Sequence, residues 1–274
     1  MEKYNFVVDS PIKLKDALLK NISGLSNFDI MKIMANKDIK INGKRTKENI
    51  MLNAGDEIDV FFKLPKFYEI VYEDKNIIVV NKVHSIETNS GDEQKQTLEK
   101  ILRKEYPTVR AVHRLDTNTM GLICFALNDL AEKELKQAFK KGYVIKKYQA
   151  IVQATNVKNK ESFVDYYEKD AKTAVMKVKS TGKTVQQIKL DYELLEKNDD
   201  IAKILVNLYT GKTHQIRAQL AYHKIYILGD GKYGDKEFNR KHKKTHQELK
   251  SVYLHFTNLD KLSYLESKIF NIQY

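Results

Sequence analysis

The residues best suited to chemistry in this chain gather around one carboxylate. Asp116 stands in Ala111-Val112-His113-Arg114-Leu115-Asp116-Thr117-Asn118-Thr119-Met120-Gly121, just ahead of the apolar run Leu122-Ile123-Cys124-Phe125-Ala126. An acid at the mouth of a strand sits on rigid scaffold, where reacting groups are best held. The same acid could instead cap its own turn through the amides of Asn118 or Thr119, and composition does not choose between the two. Arginine is scarce in this lysine-preferring sequence, so Arg114 and Arg217, both inside motif-like stretches, mark places that call for a planar, bidentate cation. Arg217 closes Gly211-Lys212-Thr213-His214-Gln215-Ile216-Arg217. Polar groups collected where a strand turns into a helix make a natural site for an anion or a nucleotide.

Other chemistries find less support. His242 and His246 are four apart but sit in a lysine-rich stretch without an HExxH arrangement, which reads as a solvated loop, and no metal ligand set is expected. There is no CxxC pair, no nucleophile elbow and no Walker A loop. A glycosidase-like pair of acids would give Asp116 a carboxylate partner that the sequence does not supply.

A length of 274 residues allows one medium domain and a small one, and 42% apolar residues suffice for a sizeable core. With 31% charged residues, no run spans a bilayer, and the first residues lack the layout of a secretory signal. The single cysteine, Cys124, reads as a small core residue in a reducing cytoplasm. The net charge of +12 points to a polyanionic partner, although lysine-rich usage also arises from biased genomes.

Residues 1–62 read as a separate module. Lys13–Leu19 has helical spacing, and Ser26 with Asp29 resembles a capping box for a second helix whose apolar face is Phe28, Ile30, Ile33 and Met34. Asn42-Gly43 predicts a hairpin and Asn53–Val60 a turn and strand. Residues 63–68 read as a linker containing Pro65, and 69–274 as the larger domain. There the patterns predict a buried strand at 76–82 and a helix from Thr97 to Tyr106 stopped by Pro107. They further predict a helix opened by Asp129 with Glu132, running through Lys141 to a cap at Gly142. Strands are expected at 146–152, in polar stretches around 162–179 and 184–195, and at 201–209. A basic insert covers 235–250, and 251–256 is expected as the last strand.

The helix, helix, hairpin and "GD-x-I-x-V" order of the first module resembles the S4 RNA-binding domain. That resemblance turns Lys32, Lys44 and Arg45 toward an RNA backbone; without it they are equally well solvated charges. Four blocks make nearly the whole chain resemble the RluA-type pseudouridine synthases: His113-Arg114-Leu115-Asp116 with Thr119 and Gly121, Lys147-x-x-Ala150 around Tyr148, Gly211 to Arg217, and Gly229-Asp230 with Tyr233-Gly234. Met120, Asn118 and Val83-His84 depart from the family's usual Ser, Asp and Pro-Ala, and none of these removes a reacting group.

The resemblance implies an α+β pseudouridine synthase fold: a mixed, largely antiparallel central β-sheet flanked by helices, preceded by a small S4-like α/β RNA-binding domain. It implies an isomerase that needs no cofactor and acts on RNA, with large-subunit ribosomal RNA the first expectation and transfer RNA the alternative; a monomer is expected because nothing in the sequence requires more. An inactive RNA-binding protein of the same fold is the other alternative. Asp116 becomes the nucleophile or glycosidic-bond activator, Arg217 its fixed cation, and Tyr148 a stacking platform able to accept or relay a proton; without the resemblance, Tyr148 reads as packing. Arg114 would fill the space of an extruded base. His113, Lys147, Lys212, Thr213, His214 and Gln215 complete the expected RNA contacts.

Overall fold

The computed structural model describes residues 2–22, 25, 27–63, 66–169, 176–179 and 186–273. Ser26 of the capping pattern, residues 64–65 of the linker, and parts of the stretches at 162–179 and 184–195 lie outside them. The chain forms two units, Met1–Lys66 and Phe67–Tyr274.

In the first unit, Asn42 and Gly43 both take positive φ (49° and 78°). This is the two-residue turn whose twist suits a hairpin. It joins β3 (Ile39–Ile41) to β4 (Lys44–Thr46), and the sheet is completed by β1 (Lys3–Val7) and β6 (Glu57–Phe61) in the order β1-β6-β3-β4. Two short strands, β2 (Ile12–Lys13) and β5 (Met51–Leu52), pair separately. Helices α1 (Leu14–Asn21) and α2 (Asn27–Ala35) place Leu14, Leu18, Ile30 and Ile33 in a core with Ile39, Ile58 and Val60. Each such fully buried side chain contributes about 2 kcal/mol.

The second unit is built on one large sheet. It comprises β7 (Tyr68–Glu73), β8 (Ile77–Lys82), β9 (Arg110–Ala111), β10 (Met120–Ala126), β11 (Val144–Gln153) and β12 (Lys160–Lys169), followed by β13 (Met176–Lys179), β14 (Gln186–Lys197), β15 (Ile201–Leu208), β16 (Leu249–Phe256) and β17 (Ile269–Asn271). The order is β13-β12-β14-β15-β11-β16-β10-β8-β7, with β9 on β10 and β17 on β16. Among the described residues only β10 and β16 pair in parallel, so the sheet is mixed and mainly antiparallel. Apolar side chains from both faces of β8 and β10 are buried, Val80 and Ile123 in one cluster and Val79 and Cys124 in another, as expected of central strands.

The helices of this unit are α3 (Leu98–Leu102), α4 (Asp129–Lys141), α5 (Gln215–Tyr222) and α6 (Lys236–Lys241). Several differ from the sequence expectation. α3 is half the anticipated length. Thr97 caps it, and it gives way to turns because the residue before Pro107 is biased out of the helical region; the Tyr106 hydroxyl there donates to Glu73 (2.7 Å). α4 is capped by Asn128, not by Asp129: the Asn128 side chain accepts from the Ala131 amide at 2.9 Å. Gly142 ends that helix in the left-handed conformation. The basic insert folds as α6, with Asp235 accepting from the Phe238 amide (2.7 Å). Just past α6, His242 is half-buried and lies 3.0 Å from Asp200, so it is not a solvated loop histidine; His246 is exposed in the loop as expected, stacked on His84 at 4.6 Å. The strand after 251–256 was missed because β17 is too short to show a period.

Candidate active site

Asp116 is presented by a turn held from three sides. The Thr119 amide donates to the Asp116 main-chain carbonyl (3.0 Å), which closes the turn. Before it, Leu115 is buried, and the Thr88 hydroxyl both accepts from its amide and donates to its carbonyl, each at 3.1 Å. After it, Gln247 donates to the Thr119 hydroxyl (2.6 Å), and Gly121 takes φ +101° where β10 meets Ser251 of β16. A side chain at 121 would overlap the Ser251 backbone, so glycine is required here. The Asp116 carboxylate takes no backbone amide of its own turn, and the capping alternative drops out. Its hydrogen bond comes from Arg217 Nη1 at 2.8 Å.

Arg217 reaches that position from the first turn of α5. Gln215, 2% exposed, pins the start of the helix. Its carbonyl oxygen accepts from Thr210 (2.9 Å) and the Lys212 amide (3.2 Å), and its amide nitrogen donates to the Lys189 carbonyl (3.2 Å) and Gln219 (3.2 Å). With these hydrogen bonds made internally, Gln215 positions the loop at the wall of the cleft. His214 is left-handed (φ 57°), its Nδ1 is 3.1 Å from the Tyr233 hydroxyl, and its Nε2 is 4.0 Å from Asp116 Oδ1. Burial holds its pKa below the usual histidine value, against the pull of the Asp116 charge.

The sequence reading named Asp116 as the partner of Arg217, but Asp230 binds it more extensively. Arg217 Nε and Nη2 bind Asp230 Oδ2 and Oδ1 at 2.7 and 2.9 Å, a bidentate pair. Asp230 is 1% exposed and also accepts from the amides of Lys232 (2.9 Å) and Tyr233 (3.0 Å). Burial alone would raise its pKa, yet Arg217 and these amides hold it below the ordinary carboxylate value. Arg217 is itself raised, since its two carboxylates outweigh its burial. The guanidinium is thus fixed by a buried acid and offers one remaining edge to Asp116. The Gly229-Asp230 block was the available signal.

Tyr148 lies on β11, 6% exposed, and lines the same cleft as Asp116. Burial, and next the negative charge of Asp116, push its phenol pKa well up, opposed by the Ser251 side chain. Its neighbour Lys147 faces the other way, with its ammonium 5.3 Å over the Tyr253 ring. Lys146 shares the face of Tyr148 and lines the cleft, so the block's inward cation is the one the sequence reading passed over. Arg114 and Thr213 are exposed at the rim, and Lys212 lies 5.8 Å over the Tyr167 ring. His113 is tied inward: its Nε2 accepts from the Cys124 amide (2.9 Å) and its ring stacks on Phe139 (4.2 Å). Burial, and then the charge of Lys146, bring its pKa to about 3, so it is neutral with the proton on Nδ1.

Lys82 was also missed. It is 1% exposed, donates to the carbonyls of Val83, Ile86 and Thr117 (3.0, 2.9 and 3.0 Å), and clamps the 83–86 loop to the Asp116 turn. Burial lowers its pKa to about 8, against the pull of Asp116. Lys32, Lys44 and Arg45 are exposed in the first unit, where Arg45 donates to the Lys37 carbonyl (3.1 Å). The cleft has a volume of about 610 Å³, within the usual range for a small-molecule-sized site. Among the described residues, no three His, Cys, Asp or Glu side chains group as a metal site, and no helix is long and apolar enough to cross a membrane.

Residues 76–222, more than half of the chain, match the family model described as RNA pseudouridylate synthase. The chain is 29% identical to ribosomal large subunit pseudouridine synthase C of Rickettsia prowazekii (strain Madrid E), over 94% of each chain. It is 30% identical to the dual-specificity RNA pseudouridine synthase RluA of Yersinia pestis, over 61% of this chain and 82% of that one. Among solved structures, human RNA pseudouridylate synthase domain containing 1 superposes with a TM-score of 0.61 at 24% identity, over 76% of this chain and 82% of that one, and so shares its fold.

Proposed function

The chain belongs to the RluA-type RNA pseudouridylate synthases, an isomerase family, and we propose that Asp116 acts on the target uridine, in large-subunit ribosomal RNA. In the reaction the N1–C1′ bond breaks, a C5–C1′ bond forms, the C5 proton leaves and N1 gains one. Product and substrate are isomers, so no cofactor is consumed. A carboxylate can attack C1′ or assist departure of the base, as in glycosyl transfer. The observation that carries this assignment is the Asp116 carboxylate on the cleft, held by one edge of a guanidinium whose other edge is locked on a buried acid.

Tyr148 supplies the face on which the extruded base rests. Its raised pKa keeps the phenol protonated in the free protein. Arg114, exposed at the rim, is free to fill the gap left in the RNA. Lys212 and Thr213 sit beside it on the strand-to-helix turn. Residues 1–62 act as an S4-like RNA-binding module through Lys32, Lys44 and Arg45, supported by the order of helices and hairpin there. The names of relatives along the whole chain favour the ribosomal substrate.

The test uses an unmodified large-subunit ribosomal RNA transcript labelled at uridine C5, with release of that label as the readout. Asp116→Asn is expected to lower turnover by about three orders of magnitude or more while RNA affinity holds within a few-fold. Turnover by Asp116→Ala near the wild-type rate would remove the assignment. Conversion of transfer RNA but not of this transcript would move the substrate to the alternative.

A further inference from the structure

The cleft contains a cation that the scheme above leaves without a task. Lys146 is 7% exposed, its stem packed in β11 and its ammonium lining the cleft. Among the described residues, that ammonium makes no hydrogen bond and no ion pair. It lies 3.6 Å from the point where Gly211 would carry a side chain, and Gly211 is itself exposed. The neighbouring cations are differently placed. Arg217 is held by Asp116 and Asp230, Lys147 points to the opposite face, and Lys212 leans over Tyr167. His113, which also feels the charge of Lys146, is neutral and offers no compensation.

Burying an ammonium without a counter-charge is costly, and a bound anion removes that cost. A substrate of the class proposed above brings one anion with every nucleotide. With no side chain at 211, the exposed backbone and the ammonium lie side by side on the cleft. Burial lowers the pKa of Lys146, consistent with a site that lacks its counter-ion until RNA is bound.

We propose that the Lys146 ammonium and the open backbone at Gly211 form a phosphate subsite that receives a backbone phosphodiester of the RNA flanking the extruded uridine. Lys146 is then a positioning contact that anchors the strand while Asp116 addresses the sugar. This rests on the pseudouridine synthase reading of the same cleft.

The experiment compares full-length wild type, Lys146→Met and Lys146→Arg on the unmodified large-subunit ribosomal RNA transcript. Direct binding is measured across salt concentrations, alongside steady-state kinetics. For Lys146→Met the expected result is a KM and a dissociation constant about tenfold higher, with kcat within about twofold of wild type. The slope of log affinity against log salt is expected to be shallower by about 0.7–0.9, the loss of one phosphate contact. Lys146→Arg is expected to keep the wild-type slope. Replacing an unpaired buried charge by an apolar side chain of similar length leaves the fold intact, which a thermal melt verifies. An unchanged slope in Lys146→Met overturns the proposal, and so does a fall in kcat alone, which would place the ammonium on the base. Failure of the wild type to bind the transcript overturns it as well. Wild-type binding and slope change without C5 release would retain the phosphate subsite and sink the functional reading instead.

Discussion

Arg217 gives two hydrogen bonds to Asp230 and one to Asp116. That asymmetry defines the site at the scale of single residues, because the acid exposed to the cleft is held by a cation already immobilised by a buried one. His113 shows the same logic for a neutral group. Its folded pKa of about 3 lies below the unfolded value near 6.5, so the unfolded chain binds the extra proton first. The stability it contributes is fully present above about pH 6.5 and is lost as pH falls toward 3, at up to about 1.4 kcal/mol per pH unit. Denaturant melts at pH 7.5 and pH 5 should therefore show wild type losing about 2 kcal/mol more than His113→Gln, whose amide oxygen still accepts from Cys124. A stability difference between the two proteins that stays constant across that range would mean His113 is not kept neutral by its surroundings.

At the scale of elements, the contact between β10 and β16 sets the height of the Asp116 turn. Gly121 combines φ +101° with a backbone neighbour where a Cβ would stand, whereas Gly142, at φ +79°, has open space around it. Gly121→Ala is expected to destabilise the protein by about 3 kcal/mol or more, and Gly142→Ala by only about 1 kcal/mol. Calorimetry should show the first melting about 6–12 °C lower and the second within a few degrees of wild type. Equal shifts would mean that β16 yields where close packing says it cannot. The elements also explain what could be read from sequence. Periodicity exposed the buried strands, and Asn42-Gly43 the first hairpin. It did not say which of Lys146 and Lys147 faces the cleft, since adjacent residues differ only by parity. Counting back two from Tyr148 would have resolved it. Lys82 stayed hidden for another reason: burial of a charge depends on partners elsewhere in the chain, here Thr117, and nothing in the Gly229-Asp230 block tied its acid to Arg217.

At the scale of the molecule, the two units have separate cores, Leu14, Ile30 and Ile58 in one and Ile123, Tyr148 and Leu220 in the other. Among the described residues, those that line the cleft belong to the second. A protein beginning at Phe67 is expected to fold and to keep kcat within a few-fold at saturating RNA, while its affinity for the ribosomal transcript falls and its salt slope flattens. Equal kcat/KM for the shortened and the full protein would deny the first unit any part in RNA binding. The change of pattern around Pro65 was the sequence signal for a small module ahead of a larger domain; the S4-like assignment of the first is a proposal from the order of its helices and hairpin.

β16 lies between β10 and β11, although it is translated after both and after α5. Asp116 and Tyr148 are both synthesised well before the strand that must separate β10 from β11. Until Leu249–Phe256 arrives, each of those two strands has an unpaired edge, the kind of surface on which nascent chains misassociate. The sheet beneath the cleft is therefore closed only when this late strand inserts between its two neighbours.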